Sequence, residues 1–167
     1  LPWLGYSSSP PSPFWIKDLE RLDRAGDTIP KFDGALWNAA AGTFEDVTAE
    51  EYFRSAPTIA DELASAAQLA GPWAFVCHAP PYRTALDRLP NLQDGIGSRA
   101  VRKFIEQRKP LFSLHGHVHE SPAVSGKFAD RVGETWCVNA GQTHERLQAV
   151  VFDTADPAGT VRHSVFG

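Results

Sequence analysis

Residues 111–120 read Leu-Phe-Ser-Leu-His-Gly-His-Val-His-Glu, and this stretch decides the reading of the chain. The apolar run from Leu111 to Leu114 is a buried strand, and three histidines alternate directly after it. In an extended segment, side chains two residues apart point the same way, so His117 and His119 are expected to face one pocket. Two readings stand here. Two imidazoles can hold one or two transition-metal ions, or the cluster carries no metal. Gly116 lets the backbone turn and removes a side chain near the site.

Working outward, the run Trp73–Cys77 is another buried strand and delivers His78 at its exit, followed by Ala-Pro-Pro-Tyr82. Strand exits are where α/β proteins place functional groups, and two prolines stiffen this one. His78 is either a ligand or a hydrogen-bonded turn residue. A third exit, Asn139-Ala-Gly141-Gln142, follows Glu134–Val138. Its polar residues read as turn formers somewhat better than as ligands.

The remaining pattern frames these exits. Residues 1–7 read as the end of a strand, Ser7–Pro13 as a turn or extended loop, and 14–47 as loop with short helical turns. Thr48 with Glu51 has the spacing of a capping box, and Thr58 opens a helix whose Ile59, Leu63 and Ala66 share a face and which should stop near Gly71-Pro72. Residues 79–97 form a long Pro- and Gly-rich loop. Ser98 caps a helix over 99–108, ended by Pro110. The segments Glu134–Asn139, Leu147–Asp153 and Thr160–Phe166 read as a mostly antiparallel group. The order predicts an α/β class: a sheet-on-sheet core with helices outside, in one domain spanning 1–167.

Composition narrows the classes. The chain has 167 residues, 43% hydrophobic and 22% charged, which suits a globular core. Its net charge of -4 argues against a nucleic-acid binder. No apolar run approaches a membrane span of ~20 residues. No signal peptide is legible, so the expected setting is cytoplasmic. Cys77 and Cys137 sit in apolar runs without a CxxC pattern and are expected as buried, reduced thiols. A chain that begins with Leu and has no Met is expected to be a piece of a longer or processed protein.

Together, residues 77–87, 97–121 and 137–142 resemble the calcineurin-like metallophosphoesterases, and 5–23 and 58–64 look like a bacterial branch of that family. The resemblance implies two facing sheets flanked by helices, with a dinuclear metal site at the strand ends. It implies that His78 and His117 are ligands of the second metal and His119 a ligand of the first. His115 has no ligand counterpart and is expected to be supporting or structural. Glu120, Arg83 and Asp87 lie near the site in sequence without an assigned role. The family's earlier DxH, GDxxD and GNH motifs, which supply the other ligands and the leaving-group histidine, have no match here, so the catalytic residue itself is unknown. Ala140 stands where the branch often has proline.

For the complete protein the resemblance implies hydrolysis of phosphomonoesters or phosphodiesters with two divalent ions, Mn, Fe, Co, Ni or Zn, that clamp the phosphoryl oxygens and activate water. This chain would be the C-terminal part of that domain, binding metal weakly and hydrolysing little on its own. The substrate would be a phosphate ester, with no membrane partner; the oligomeric state is not indicated. Two alternatives compete: a truncated, inactive piece or binding scaffold on the same fold, and a mononuclear zinc module built on the histidine triplet, for which the two cysteines are poorly placed.

Overall fold

The computed structural model describes residues 1–143 and 145–167. Five strands form the central sheet: β1 (Trp3–Tyr6), β4 (Ala74–Cys77), β5 (Phe112–His115), β7 (Thr135–Asn139) and β6 (Ala129–Val132), in that spatial order. The first four run parallel and β6 pairs antiparallel with β7. A hairpin, β2 (Gly34–Asn38) with β3 (Thr43–Val47), and a short ribbon, β8 (Val150–Val151) with β9 (Arg162–His163), stand apart from it. Helices are α1 (Ala49–Ser55), α2 (Ile59–Ala64), α3 (Arg99–Arg108), α4 (Ser121–Ser125) and α5 (Pro157–Thr160). The fold is mixed α/β with a parallel-rich central sheet. Among the described residues that sheet is accompanied by two-stranded ribbons rather than by a second large sheet.

The α3 helix forms where its pattern placed it. The Ser98 hydroxyl accepts from Val101 N–H at 2.9 Å, and the Asp23 carboxylate takes the Arg99 and Ala100 N–H groups at 2.9 and 3.2 Å. Its apolar stripe of Val101, Phe104 and Ile105 packs with Ile59 and Leu63 of α2 onto Phe75, Cys77 and Cys137 of the sheet. Each such buried side chain contributes about 1.5–3 kcal/mol. Both cysteines are free and buried there, as composition suggested; burial pushes the Cys137 thiol up to about 11 and Cys77 further. No helix among the described residues is long and apolar enough to cross a membrane.

Several expectations are corrected. The reciprocal capping box belongs to α2: Thr58 Oγ1 accepts from Asp61 N–H, and the Asp61 carboxylate accepts from Thr58 N–H at 3.1 Å. At α1 the Thr48 oxygen caps Glu51 N–H, but the Glu51 carboxylate takes the Thr48 hydroxyl instead of its backbone. The α2 helix ends at Ala64, well before Gly71, because the Ser65 hydroxyl donates to the Glu62 carbonyl and competes with the helix ladder. Residues 34–47, expected as loop, form the β2–β3 hairpin. Asn38 Oδ1 accepts from Ala40 and Ala41 N–H, each at 3.0 Å, and Gly42 (φ 66°) closes the turn, chemistry that the helix-like Ala-Ala-Ala run disguises. The strands of the C-terminal third form the expected group only in part: the 147–153 and 160–166 segments pair antiparallel as β8 and β9, but 134–139 joins the central sheet instead. β7 lies parallel to β5 and antiparallel to β6, and β8 and β9 are two residues each.

Candidate metal-binding site

β4 and β5 are neighbouring parallel strands, so their carboxyl ends deliver His78 and the 115–119 loop to the same edge of the sheet. The two loops are tied together by backbone bonds. His78 N–H donates to the Tyr6 carbonyl and Gly116 N–H to the His78 carbonyl, each at 3.0 Å. A cleft of about 500 Å³ opens here, lined on the β1 side by Tyr6 and Ser7 and on the β4 and β5 side by His78, His115 and Gly116. The face it uncovers carries Val76 and Leu114. Gly116 borders the pair, and a Cβ there would make ordinary contact with His78 Nδ1 at 3.7 Å.

The 78 and 117 rings meet. His117 Nδ1 lies 3.2 Å from His78 Nε2, with ring centroids 5.0 Å apart and planes at 72°. Strand geometry does not bring this about. β5 ends at His115, and Val118 N–H donates to the Gly116 carbonyl at 2.6 Å, which closes a three-residue γ-turn around His117 at φ 62°. The expected alternation of His117 and His119 on an extended chain is therefore replaced by a turn. A left-handed conformation at a non-glycine residue costs about 1–3 kcal/mol and persists only where the surroundings over-determine it.

Those surroundings are the third strand exit. Asn139, buried to 1% exposure at the end of β7, directs its amide nitrogen at the Val118, Leu86 and Gly116 carbonyls at 2.9, 3.2 and 3.3 Å. Its oxygen accepts from Gly141 N–H at 2.9 Å. Gln142 N–H donates to the His119 carbonyl at 3.0 Å. Asn139 is thus a turn former, as expected, and also the clamp on both carbonyls flanking His117. Behind it, the His163 ring donates through Nε2 to the Ala140 carbonyl at 2.8 Å, while Nδ1 accepts from the Val165 and Phe166 N–H groups at 3.0 and 3.2 Å. Gly141 (φ 68°) has no space for a Cβ, which would lie 2.8 Å from the His119 carbonyl oxygen and 2.7 Å from the Pro122 ring.

The remaining candidates divide. His115 is structural, as its lack of a ligand counterpart implied. Its Nδ1 donates to the Ala79 carbonyl at 2.9 Å and its Nε2 accepts from the Ser113 hydroxyl at 2.8 Å, stapling β5 to the loop after β4. The His119 side chain is exposed, and among the described residues no group of three or more His, Cys, Asp or Glu side chains surrounds a common cation position. Asp87 is wholly buried and organises the 79–97 loop by accepting from Arg83, Thr84 and Gly97 N–H. Burial pushes its carboxyl up against those bonds. Arg83 lies beside the Tyr82 ring, and Glu120 is exposed at the start of α4. Sequence reasoning missed Ser113 and the Tyr6–Glu62 bond at 2.5 Å beneath the cleft; neither lies in a motif.

Electrostatics favour neutral imidazoles. Burial pushes His117 down to about 4, and the His78 and His119 rings act in the same direction. Burial, then His119, lowers His78. Two such nitrogens suit a transition ion. Ring nitrogens bound to one tetrahedral ion at about 2.0–2.1 Å lie about 3.3–3.4 Å apart. The 3.2 Å spacing is close to that value, and in the absence of an ion it is a hydrogen bond in which one imidazole N–H donates to the other ring. The two nitrogens would fill two positions on one ion; among the described residues no third His, Cys, Asp or Glu completes a group with them, so they do not make a two-ion centre.

No family model and no curated protein matches the chain. Two solved structures match 59% of it. One is 24% identical with a TM-score of 0.47; the other, TT1561 of Thermus thermophilus, is 20% identical with a TM-score of 0.40. The chain spans about a third of the length of each, 35% and 36% respectively.

Proposed function

We propose that this chain supplies the imidazole side of a transition-metal site in a metal-dependent phosphate-ester hydrolase with a metallophosphoesterase-like fold. One observation carries the reading: His117 Nδ1 and His78 Nε2 stand at the spacing of two ligands on one ion, and His117 is held there in a strained γ-turn. Strain kept at a polar strand exit marks function better than packing does. A bound ion of the Mn, Fe, Co, Ni or Zn type would supply Lewis-acid charge toward phosphoryl oxygens.

The chain's own residues do the rest of the work on this side. His78 and His117 present lone pairs, His115 stays neutral and holds the β4 exit, and Asn139 fixes the ring direction of His117. His119 is close enough to lower both ligands' basicity and is the nearest further donor by resemblance. Among the described residues no third donor joins this pair, the His119 ring being exposed, so the 167 residues alone should bind metal weakly and hydrolyse little. Calorimetric titration with Mn²⁺ and Zn²⁺, alongside p-nitrophenyl phosphate turnover, tests this. Weak binding lost in both His78→Ala and His117→Ala is expected. Tight binding of two ions per chain would overturn it.

A further inference from the structure

The β2–β3 hairpin turns one face inward, where Leu36 and Val47 pack against Tyr52 and Phe53 of α1. Alternation then forces the other face outward. Trp37 and Phe44 are direct cross-strand partners with ring centroids 5.1 Å apart, and Trp15 joins Phe44 at 5.1 Å. These rings remain 53%, 48% and 38% exposed for Trp15, Trp37 and Phe44. A contiguous aromatic face of this kind on water marks an interaction site.

Charge identifies the occupant. Beside Trp15 lies a cleft of about 420 Å³ whose charged lining consists of Asp33, Asp46 and Glu51, with no basic residue. Asp33 spends one oxygen on Ala49 N–H and Glu51 one on the Thr48 hydroxyl, while the Asp46 carboxylate makes no hydrogen bond among the described residues. Lys17, behind Gly34, is turned inward: its ammonium donates to the Ser12 and Phe14 carbonyls and to Glu20. A second copy of the chain would set acidic rim against acidic rim, and an anionic membrane or nucleic acid would be repelled. A cation seated against an indole and between carboxylates is attracted by both.

We propose that this face docks a basic polypeptide segment in which Lys or Arg alternates with large apolar side chains: the apolar residues lie on Trp37 and Phe44, and a cation enters the Trp15 cleft. The surface is independent of the histidine site. The test uses a fluorescein-labelled peptide of about twelve residues alternating Lys and Leu, titrated with the 167-residue chain by anisotropy at about 0.15 M salt. Trp37→Ser and Asp46→Lys should each weaken binding about tenfold, as loss of an anchor does, with the melt unchanged for Asp46→Lys, whose side chain is exposed, and lowered only slightly for Trp37→Ser, which loses its pair with Phe44. Glu134→Lys, the same charge change at the β6–β7 turn, should leave it within about twofold. The proposal is overturned if Glu134→Lys weakens binding as much as Asp46→Lys, or if a Glu–Leu peptide binds equally well. It is equally overturned if anionic vesicles or self-association, followed by sedimentation, give the Trp37-dependent signal instead.

Discussion

Replacing Asn139 with Ala should disconnect the histidine loop from the sheet without touching a histidine. The amide nitrogen has two hydrogens facing three carbonyls, so it makes at most two full bonds at once, and the oxygen makes a third with Gly141 N–H. At about 1 kcal/mol net per bond, and with no water to take over at a residue 1% exposed, the expected loss is about 3 kcal/mol. A urea slope of about 2 kcal/mol per molar converts this into a midpoint shift of about 1.5 M. The same change removes the bonds that aim His117 at His78, while the γ-turn bond from Val118 N–H to the Gly116 carbonyl remains. Co²⁺ titration followed by visible absorption should then show affinity reduced at least about tenfold, although His78 and His117 are both present. A loss below about 1 kcal/mol with unchanged Co²⁺ affinity would refute the clamp.

Glycine at position 117 should remove a ligand and relieve the turn, so His117→Gly is expected to unfold at equal or higher urea, by up to about 1 kcal/mol, while Co²⁺ binding is lost. A lower midpoint would mean the turn is not strained. The two glycines of the site should respond differently to alanine. Gly116→Ala meets only ordinary contact at 3.7 Å and should change stability by less than about 1 kcal/mol, whereas Gly141→Ala, at φ 68° with neighbours at 2.7–2.8 Å, should cost more than about 2 kcal/mol in the same urea assay. Acid should destabilise the fold through His115 and His117. Both are pushed down to about 4 by burial, below the ordinary 6.5, so the unfolded chain binds more protons between those values. Stability should be full above pH 6.5 and fall as pH drops toward 4; urea midpoints independent of pH over that window would contradict the buried, neutral assignment.

Much of this architecture is legible in the residues, and the gaps have identifiable causes. The α3 helix and the β4 and β5 strands announce themselves because their apolar periods are long or continuous and bounded by Ser98, Pro110 and the polar exits. His78 and His117 come together as the strand exits at 78–82 and 115–119 suggested, but for a different reason from the alternation invoked: adjacency of parallel strands plus a γ-turn. Local spacing cannot reveal a positive φ at a histidine, because the bonds that impose it come from Asn139, more than twenty residues away. The same holds for the β2–β3 hairpin. Its turn rests on Asn38 capping two alanine N–H groups, and its exposed aromatics defeat the usual inside-outside alternation.

Co²⁺ titration of the purified chain and of its His78→Ala and His117→Ala variants tests the central claim most directly. The account predicts weak uptake of about one ion per chain, abolished by either substitution, with His115→Ala acting only through stability. Binding that survives loss of either ring would contradict a shared ion between His78 and His117.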